Sequence, residues 1–140
     1  MFIKINEKNT RIFKMLMSDQ FNVNDVWVAI RINDLFSSVR DNPYDIYVLM
    51  DAASTYVFGN ILLETVNIAP QEEDVEALFR KAWETKRQWP DKLFMPKHSI
   101  AENVFRTVAE KNGFTFSTVS LSDLSPIVAP LKESFASTFR

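Results

Sequence analysis

The chain has 140 residues and a mass of 16.2 kDa, which suffices for one domain with a buried core. Its net charge of −2 and pI near 5.4 argue against a dedicated nucleic-acid binder, because such proteins normally carry a surplus of basic residues. The absence of cysteine excludes disulfides, zinc sites built on thiolates and a cysteine nucleophile.

The first third of the chain carries weaker structural signals than the rest, and Asp41-Asn42-Pro43 marks the boundary between the two parts. Residues 2–5 are compatible with a short strand, and residues 9–17 with a helix that has one apolar face. Residues 26–30 are rich in β-forming side chains and predict another strand. A short turn is then expected, which would carry Leu35, Phe36 and Val39.

A β-hairpin is the clearest signal after this boundary. The continuous apolar run of residues 46–50 ends at Asp51 and predicts a strand that is buried on both faces. Residues 52–55 are expected to form a short turn, and residues 56–63 to return as the second, antiparallel strand. Gly59 lies inside this second strand and indicates a bulge or a close packing contact.

Two amphipathic helices are predicted next, with a short strand at residues 92–95 between them. The first helix begins at Ala69-Pro70, and its first turn places three acids at the positive end of the helix dipole. These acids are Glu72, Glu73 and Asp74. Ser99 and Glu102 have the spacing of a capping box for the second helix, which Gly113 is expected to end.

Residues 114–119 alternate as a strand does, and a final helix is expected to begin after Pro126 or Pro130 and to carry Leu131, Phe135 and Phe139. The order from residue 46 is therefore β-β-α-β-α-β-α. This order predicts an α/β (mixed α+β) fold, in which helices pack on a mixed β-sheet. We expect a single domain over residues 1–140, with a core at residues 46–140 and an N-terminal extension of uncertain structure at residues 1–45.

Three segments, together with the order of elements, resemble the ribonuclease H-like fold of retroviral-type integrase and DDE-transposase catalytic cores. The segment 50–59 resembles the first strand of these cores, with its acid, its short turn and a returning strand that contains glycine. The segment 90–99 resembles the strand before their second acid, and the segment 132–135 resembles the start of the helix with their third acid. The likeness spans roughly residues 46–140, and this stretch is also similar to a bacterial family of unknown function, which implies no activity.

The resemblance assigns the three catalytic positions to Asp51, Lys97 and Glu133. Lys97 and Glu133 are 36 residues apart, which is the spacing of the second and third acids in that superfamily. A two-metal site needs carboxylates, however, and the Asp-x-Gly of the family is replaced by Pro96-Lys97-His98. We therefore treat the three residues as relics of a site and predict no catalytic residue, no metal site and no cofactor.

Each relic candidate also has a purely structural interpretation. Asp51 would stabilise the turn that follows its strand. The absence of an acid at the second catalytic position favours this interpretation over metal binding. Glu133 would be a solvated residue on an amphipathic helix. Lys97 would either form a salt-bridge cluster with Asp51 and Glu133, in the space of the metal, or be an ordinary surface lysine.

Other suggestive residues favour structural roles. His98, the only histidine, is expected at the surface or in a helix cap. A basic cluster is expected to be a solvated face, with an acidic partner or a phosphate as the alternative, and it comprises Lys81, Lys86, Arg87 and Lys92. The three tryptophans are expected in the core and at its edge rather than stacked on nucleobases, and they are Trp27, Trp83 and Trp89.

These observations predict a non-catalytic protein-interaction or regulatory domain of a bacterial, cytoplasmic protein, with an unknown protein partner or a second copy in a homodimer. The first alternative is a metal-dependent nuclease or DNA strand-transfer enzyme that combines Asp51 and Glu133 with a further acid, such as Asp45 or Asp91. The second alternative is a nucleic-acid-binding module. The net charge makes nucleic acid a less favoured partner than protein. No membrane association is expected, because no apolar stretch approaches roughly 18 residues and the N-terminus lacks the apolar core of a signal peptide.

Overall fold

A computed structural model describes the backbone of residues 15–35 and 44–138, with side chains up to residue 134. Within these ranges the chain forms, in order, strands β1 (Val26–Arg31), β2 (Asp45–Asp51) and β3 (Val57–Leu63), helix α1 (Glu72–Lys86), strand β4 (Lys92–Pro96), helix α2 (Glu102–Lys111), strand β5 (Thr115–Val119) and helix α3 (Leu121–Thr138). Short 3-10 helices at Ser18–Gln20 and Ile32–Leu35 precede and follow β1. The order predicted from residue 46 is therefore confirmed.

The described strands form one mixed sheet in the order β3-β2-β1-β4-β5. β1 is the central strand, antiparallel to β2 and parallel to β4. β3 completes an antiparallel hairpin with β2, and β5 lies parallel to β4 at the other edge. Helices α1 and α2 lie in the connections that lead to β4 and β5, because parallel strands need a crossover longer than a hairpin turn.

The central position of β1 corrects the predicted start of the core at residue 46. The strand expected at residues 26–30 forms, but it lies between β2 and β4, and the side chains of Trp27, Val28 and Ile30 are fully buried. The apolar pattern identified this segment as a strand and gave no information on which strands it pairs with. The core therefore includes β1.

Other N-terminal predictions fall partly outside the described residues. This applies to the strand at residues 2–5, to Phe36 and Val39 of the expected turn, and to most of the helix at residues 9–17. Residues 15–17 are described and are not helical. Leu35 is buried at the end of a 3-10 helix, which agrees with the expected turn.

Side chains of the sheet alternate between two apolar layers. One layer joins Trp27, Tyr47 and Leu49 to helices α1 and α2 through residues such as Phe79 and Phe105. The opposite layer packs against α3, and its sheet residues include Val28, Ile30, Val48 and Met50. Helices thus pack on the mixed sheet, as predicted, and they cover both of its faces.

The tryptophans support the first layer, as expected. The Trp27 ring is fully buried, and its centroid lies 5.1 Å from that of Phe58 and 6.0 Å from that of Trp89. The rings of Trp83 and Trp89 lie next to each other at its margin, with centroids 6.3 Å apart. Aromatic rings at these separations pack favourably beyond the area that they bury.

Gly59 has both predicted properties. The β2–β3 register shifts between Leu49 and Met50, which pair with Gly59 and Val57 and leave Phe58 as the extra residue of a bulge. A Cβ atom on Gly59 would lie 3.2 Å from Leu78 Cδ1 and 3.3 Å from Lys81 Cδ. The glycine therefore lets α1 pack closely on β3.

Helix α3 begins earlier than predicted, at Leu121 instead of after Pro126 or Pro130. Ser120 starts the helix, because its Oγ accepts a hydrogen bond from the Asp123 N–H at 3.2 Å. Both prolines lie inside the helix, although each removes one backbone hydrogen bond. An apolar stripe holds the helix on the sheet across both prolines, and it consists of Leu124, Ile127, Val128 and Leu131.

Among the described residues, no helix is long and apolar enough to cross a membrane.

Candidate functional site

Asp51, the first relic candidate, is a fully buried carboxylate at the end of β2. Its Oδ1 accepts a hydrogen bond from the Asn24 backbone N–H at 2.7 Å. Its Oδ2 accepts two more, from the backbone N–H and the hydroxyl of Ser54, each at 2.8 Å. These contacts are those of the structural interpretation, in which Asp51 braces the turn after its strand.

Asn24 extends this network into the core. Its backbone has a φ of 69°, a left-handed conformation that asparagine tolerates better than most residues. Its Oδ1 accepts a hydrogen bond from the indole N–H of Trp27 at 2.7 Å, and its Nδ2 donates to the Gln88 carbonyl at 3.2 Å. The carboxylate of Asp51 thus ties the start of β1 to the end of β2.

Lys97, the second relic candidate, lies at the opposite end of the sheet from Asp51. Asp51 is level with Trp27, which is itself level with Leu93 on β4. Lys97 follows Leu93 by four residues, or about 13 Å along the strand direction, and β2 and β4 are two strand spacings, or about 9.6 Å, apart. The two backbone positions are therefore roughly 16 Å apart, which is too far for a shared metal or a direct ion pair.

Glu133, the third relic candidate, is an exposed residue of α3. Among the ion pairs of the described residues, none includes Asp51, Lys97 or Glu133. Lys97 is also exposed, so the structure favours the surface-lysine interpretation over the salt-bridge cluster. The further acids considered for a nuclease do not complete a site either, since no group of three metal-ligating side chains occurs in the described part of the chain.

The strand assignment changes how the resemblance applies to Asp51. The segment compared with the first strand of an integrase core is the second strand of this sheet, because β1 precedes it. β1 reads Val-Trp-Val-Ala-Ile-Arg and contains no carboxylate. An acid on the first strand, which the resemblance requires, is therefore missing.

The middle motif, Pro96-Lys97-His98, has a left-handed backbone at its third residue and contains no acid. His98 stands at the glycine of Asp-x-Gly and has a φ of 68°, in the left-handed region that glycine adopts most easily. In this alignment Pro96, and not Lys97, occupies the position of the acid, and Pro96 is buried at the end of β4. His98 is exposed, as predicted.

The N-cap residue of α2 is Ala101, which makes no side-chain cap hydrogen bond, so the capping box predicted for Ser99 and Glu102 does not form. Ser99 instead makes hydrogen bonds in the turn before the helix. Its hydroxyl accepts a hydrogen bond from the Ala101 N–H at 3.1 Å, and its carbonyl accepts one from the Glu102 N–H. The Glu102 carboxylate pairs with Arg106 at 2.8 Å, within the same helix, instead of reaching back to the cap.

A second polar cluster, which the sequence did not reveal, lies at the Lys97 end of the sheet. The Arg31 guanidinium contacts the carboxylates of Asp45 at 2.6 Å and Asp34 at 3.1 Å. Asp45 is fully buried, and its other oxygen accepts a hydrogen bond from the Asn67 N–H at 2.8 Å. We call Arg31, Asp34 and Asp45 the arginine cluster.

Burial and pairing shift the pKa values of this cluster in a consistent way. Burial tends to lower the pKa of Arg31, but the hydrogen bond and the charge of Asp45 outweigh it and raise that pKa overall. Burial raises the pKa of Asp34, and the nearby Arg31 offsets only part of the rise. Because its oxygens already accept from Arg31 and Asn67, Asp45 is committed to holding β1 and β2 together.

Tyr47 lies beside the arginine cluster and is fully buried. Its hydroxyl forms no hydrogen bond of standard geometry with the described residues, and neither does Arg31 Nε. Burial raises the pKa of Tyr47 to about 12, with smaller opposing effects from Arg31 and from the Ser99 hydroxyl. The phenol is therefore held neutral in the folded chain.

The predicted basic cluster does not form one free cationic patch. The Lys86 Nζ lies 5.8 Å from the centre of the Tyr56 ring, and the Arg87 guanidinium lies 5.0 Å from that of Trp83. Lys92 lies over Phe94, a residue that packs against the other layer of the core. Three of the four cations thus rest on separate rings, which leaves Lys81 beside β3.

Lys81 lines a surface groove between β3 and α1. The groove has a volume of about 340 Å³, and residues such as Asn60 and Leu62 form its strand side. Asp74, Ala77 and Lys81 are the main residues of its helix side. Asp74 and Lys81 are seven residues apart and therefore lie on the same face of the helix. The sequence shows this spacing, but only the packing of α1 on β3 shows that this face borders the groove.

No protein-family model and no curated protein matches this chain. The fold is similar to a chain of the simian T-cell lymphotropic virus intasome in complex with the PP2A regulatory subunit B56 gamma, at a TM-score of 0.52 and 13% identity. The match covers 89% of this chain and 42% of that chain, so this chain spans less than half of its counterpart. The HTLV-2 integrase catalytic core domain in complex with magnesium matches at a TM-score of 0.49 and 14% identity, over 83% of this chain and 73% of that chain.

The extent of the first match agrees with the corrected core. Residues 46–140 make up 68% of the 140-residue chain, so a match that covers 89% must include residues before position 46. At 13% identity the similarity concerns the fold, and the catalytic residues have to be compared one by one. The chain has the ribonuclease H-like fold of an integrase catalytic core.

Proposed function

We propose that this chain is a non-catalytic protein-interaction or regulatory domain built on an integrase-like fold. The observation that carries the proposal is the position of Asp51, whose carboxylate accepts three hydrogen bonds and lies at the opposite end of the sheet from Lys97. A carboxylate with this many donors is a structural brace and has few lone pairs left for a cation. The relic interpretation of Asp51, Lys97 and Glu133 then concerns ancestry only.

The proposed cellular location and class of partner follow from the composition. A cysteine-free chain is compatible with a reducing cytoplasm, and a net charge of −2 disfavours nucleic acid as the partner. We propose a protein as the partner, and a homodimer is the form in which that protein is a second copy of the chain.

A metal titration tests the non-catalytic part of this proposal. We expect millimolar Mg²⁺ or Mn²⁺ to leave the Tm of the full chain unchanged, because a ligand raises Tm only if it binds the folded state. Asp51→Asn should lower the free energy of unfolding by about 1–3 kcal/mol even without metal, since three buried donors lose a charged acceptor. Lys97→Ala is the matched control and should stay within about 0.5 kcal/mol of the original chain.

The alternatives give different results in the same experiments. A metal-dependent rise in Tm that Asp51→Asn abolishes, together with cleavage of DNA, would establish the nuclease alternative. Retardation of DNA or RNA at low ionic strength, lost steeply as salt is added, would establish the nucleic-acid-binding module.

A further inference from the structure

β3 is an edge strand whose outer side is open to pairing. Its inner side pairs with β2, and none of the strands in the described part of the chain pairs with its outer side. Its sequence, Val-Phe-Gly-Asn-Ile-Leu-Leu, contains no charged residue and no proline. Monomeric proteins commonly block an exposed edge with lysine or proline, so this strand lacks the usual protection against pairing with another chain.

Two exposed apolar side chains follow the same edge on the face of the sheet opposite α1. The β2–β3 register pairs Val57 with Met50 and Leu62 with Ile46, and both of these partners pack in the layer against α3. Val57 is 39% exposed and Leu62 is 55% exposed. A strand added beside β3 would contact both, because side chains on the same face of paired strands lie about 5 Å apart.

On the other face of the sheet, α1 presents charges of opposite sign along this edge. Asp74 and Lys81 are exposed, line the groove beside β3 and have no ion-pair partner among the described residues. They are about 10.5 Å apart along the helix axis. The midpoint between them falls between Ala77 and Leu78, which line the same groove as Asn60, the middle residue of β3. The acid and the base are therefore placed symmetrically about the part of α1 that lies beside the middle of the strand.

A two-fold axis beside the middle of β3 satisfies the strand and the charges together. The axis pairs β3 with the same strand of a second copy in antiparallel orientation, and it sets the two copies of α1 antiparallel as well. Asp74 of each copy then faces Lys81 of the other, so both charges have a counterpart of opposite sign. Such self-complementarity is the requirement of an isologous dimer interface.

The position of α1 leaves the space that this arrangement needs. α1 lies over the β2–β3 pair and contacts both strands. In the joined sheet, the midlines of the two β2–β3 pairs are two strand spacings, or about 9.6 Å, apart. Helices pack at axial distances of about 8–10 Å, so the two copies of α1 fit beside each other. Ala77, a small exposed residue at the centre of the facing surface, permits this approach.

The same features distinguish a second copy from a foreign extended segment. An extended segment would occupy the edge of β3 and leave α1 without a facing helix, and the symmetric placement of Asp74 and Lys81 about Ala77 would be incidental to its binding. A second copy supplies a strand, a helix and both counter-charges through one symmetry operation. A closed two-fold dimer also removes the exposed β3 edge from both copies at once.

We propose that the chain forms a two-fold symmetric homodimer through β3 and α1, in which the two sheets join edge to edge into one continuous sheet. Main-chain hydrogen bonds between the two β3 strands hold the sheets together, and Val57 and Leu62 become partly buried on one face. Asp74–Lys81 pairs between the two α1 helices close the other face. The proposal rests on the proposed protein-interaction function and identifies the partner as a second copy of the chain.

Sedimentation equilibrium of the full-length chain over a range of concentrations tests the proposal. We expect the mass to approach twice the 16.2 kDa of one chain. Lys81→Glu and Asp74→Lys should each weaken the homodimer at least about tenfold, because each change sets two pairs of like charges across the axis. An equimolar mixture of the two variants should restore dimerisation, since every pair then has opposite signs. Lys97→Glu, a charge reversal away from this edge, is the control and should leave the dimer unchanged.

The pairing of the strands has a separate test. Leu62→Lys should weaken the dimer at least about tenfold, because the added strand would desolvate the new charge. Ile100→Lys changes a comparably exposed apolar residue outside this edge and should have no effect. Amide hydrogen exchange reports the hydrogen bonds themselves: alternate amides of β3 should be protected in the original dimer and should exchange faster in the dissociated Lys81→Glu variant.

Two kinds of result would overturn the dimer. A chain that remains monomeric at about 1 mM would do so, since the occupant of the β3 edge is then something other than a second copy. A dimer that is indifferent to Leu62→Lys, or single charge reversals that the mixture does not rescue, would show that β3 and α1 are not its interface. A metal-dependent rise in Tm with DNA cleavage would overturn the proposed function and leave the sedimentation result unaffected, so the two failures are distinguishable.

Discussion

Tyr47 and Asp45 lie on the same side of β2, but their buried polar atoms differ in hydrogen bonding. Asp45 accepts from Arg31 and from the Asn67 N–H, so its buried charge is compensated. The Tyr47 hydroxyl has no hydrogen bond of standard geometry among the described residues, although the side chain is fully buried. The ring itself packs against Phe105, with centroids 6.0 Å apart. Tyr47 therefore stabilises the fold through its ring, and its hydroxyl adds a desolvation cost.

Tyr47→Phe should consequently be neutral or stabilising by up to about 1 kcal/mol near pH 8, because it removes a buried hydroxyl that makes no hydrogen bond of standard geometry with the described residues. The pKa of Tyr47 rises from 10.0 to about 12 on folding, so between these pH values the unfolded chain loses the phenolic proton and the folded chain keeps it. The stability that the neutral phenol contributes is complete below pH 10 and decreases by up to roughly 3 kcal/mol towards pH 12.

Urea denaturation across this pH range measures the effect. The free energy of unfolding of Tyr47→Phe should decrease less between pH 10 and about pH 12 than that of the original chain, because the contribution of Tyr47 is removed. Tyr56→Phe, a change at an exposed tyrosine, should show the same decrease as the original chain. A marked loss of stability near pH 8 in Tyr47→Phe would show that the hydroxyl has a partner.

At the scale of elements, α3 shows how burial overrides local preference. Pro126 and Pro130 led to the prediction that the helix begins after one of them, because proline is most favourable in a first turn. Ser120 provides an earlier start, and the buried stripe that includes Leu124, Ile127 and Leu131 continues across both prolines. Burial of each large apolar side chain contributes roughly 1.5–3 kcal/mol, so the stripe outweighs the hydrogen bonds that the prolines remove.

Pro130→Ala should therefore stabilise the protein by about 1–3 kcal/mol, because it restores a backbone donor and relieves the clash of the proline ring. Pro130 is exposed, so the change opens no cavity. Chemical denaturation measures the gain, and far-ultraviolet circular dichroism should show no loss of helix. Ser120→Ala is the opposite control and should cost about 0.5–2 kcal/mol through the lost cap. A destabilised Pro130→Ala would mean that α3 needs a bend at this residue to fit the sheet.

At the scale of the whole molecule, local patterns predicted the elements and missed their arrangement. The strands at residues 26–30 and 46–50 and the hairpin with Gly59 were visible because apolar periodicity and glycine act locally. The central position of β1 was not visible, since strand pairing depends on contacts between distant residues. The same limit applies to the relic candidates: Asp51, Lys97 and Glu133 were grouped by their positions in the sequence, whereas the sheet register puts Asp51 and Lys97 at opposite ends of the sheet. The arginine cluster was missed in the same way, because Arg31 and Asp45 meet only through β1–β2 pairing.

The central position of β1 leads to a prediction about a fragment of residues 46–140, the part of the single domain that the sequence predicted as its core. Without β1, strands β2 and β4 are left about 9.6 Å apart with no strand between them, and each loses the ladder hydrogen bonds that it makes to β1. The apolar layers also lose Trp27, Val28 and Ile30, all fully buried in the intact chain. We expect this fragment to lack a cooperative thermal transition and to show poorly dispersed amide resonances, in contrast to the full chain. A synthetic peptide of residues 15–35, added in trans, should restore part of the dispersion because it supplies β1. Cooperative unfolding of the fragment by itself would show that β1 is an addition to the sheet and not its centre.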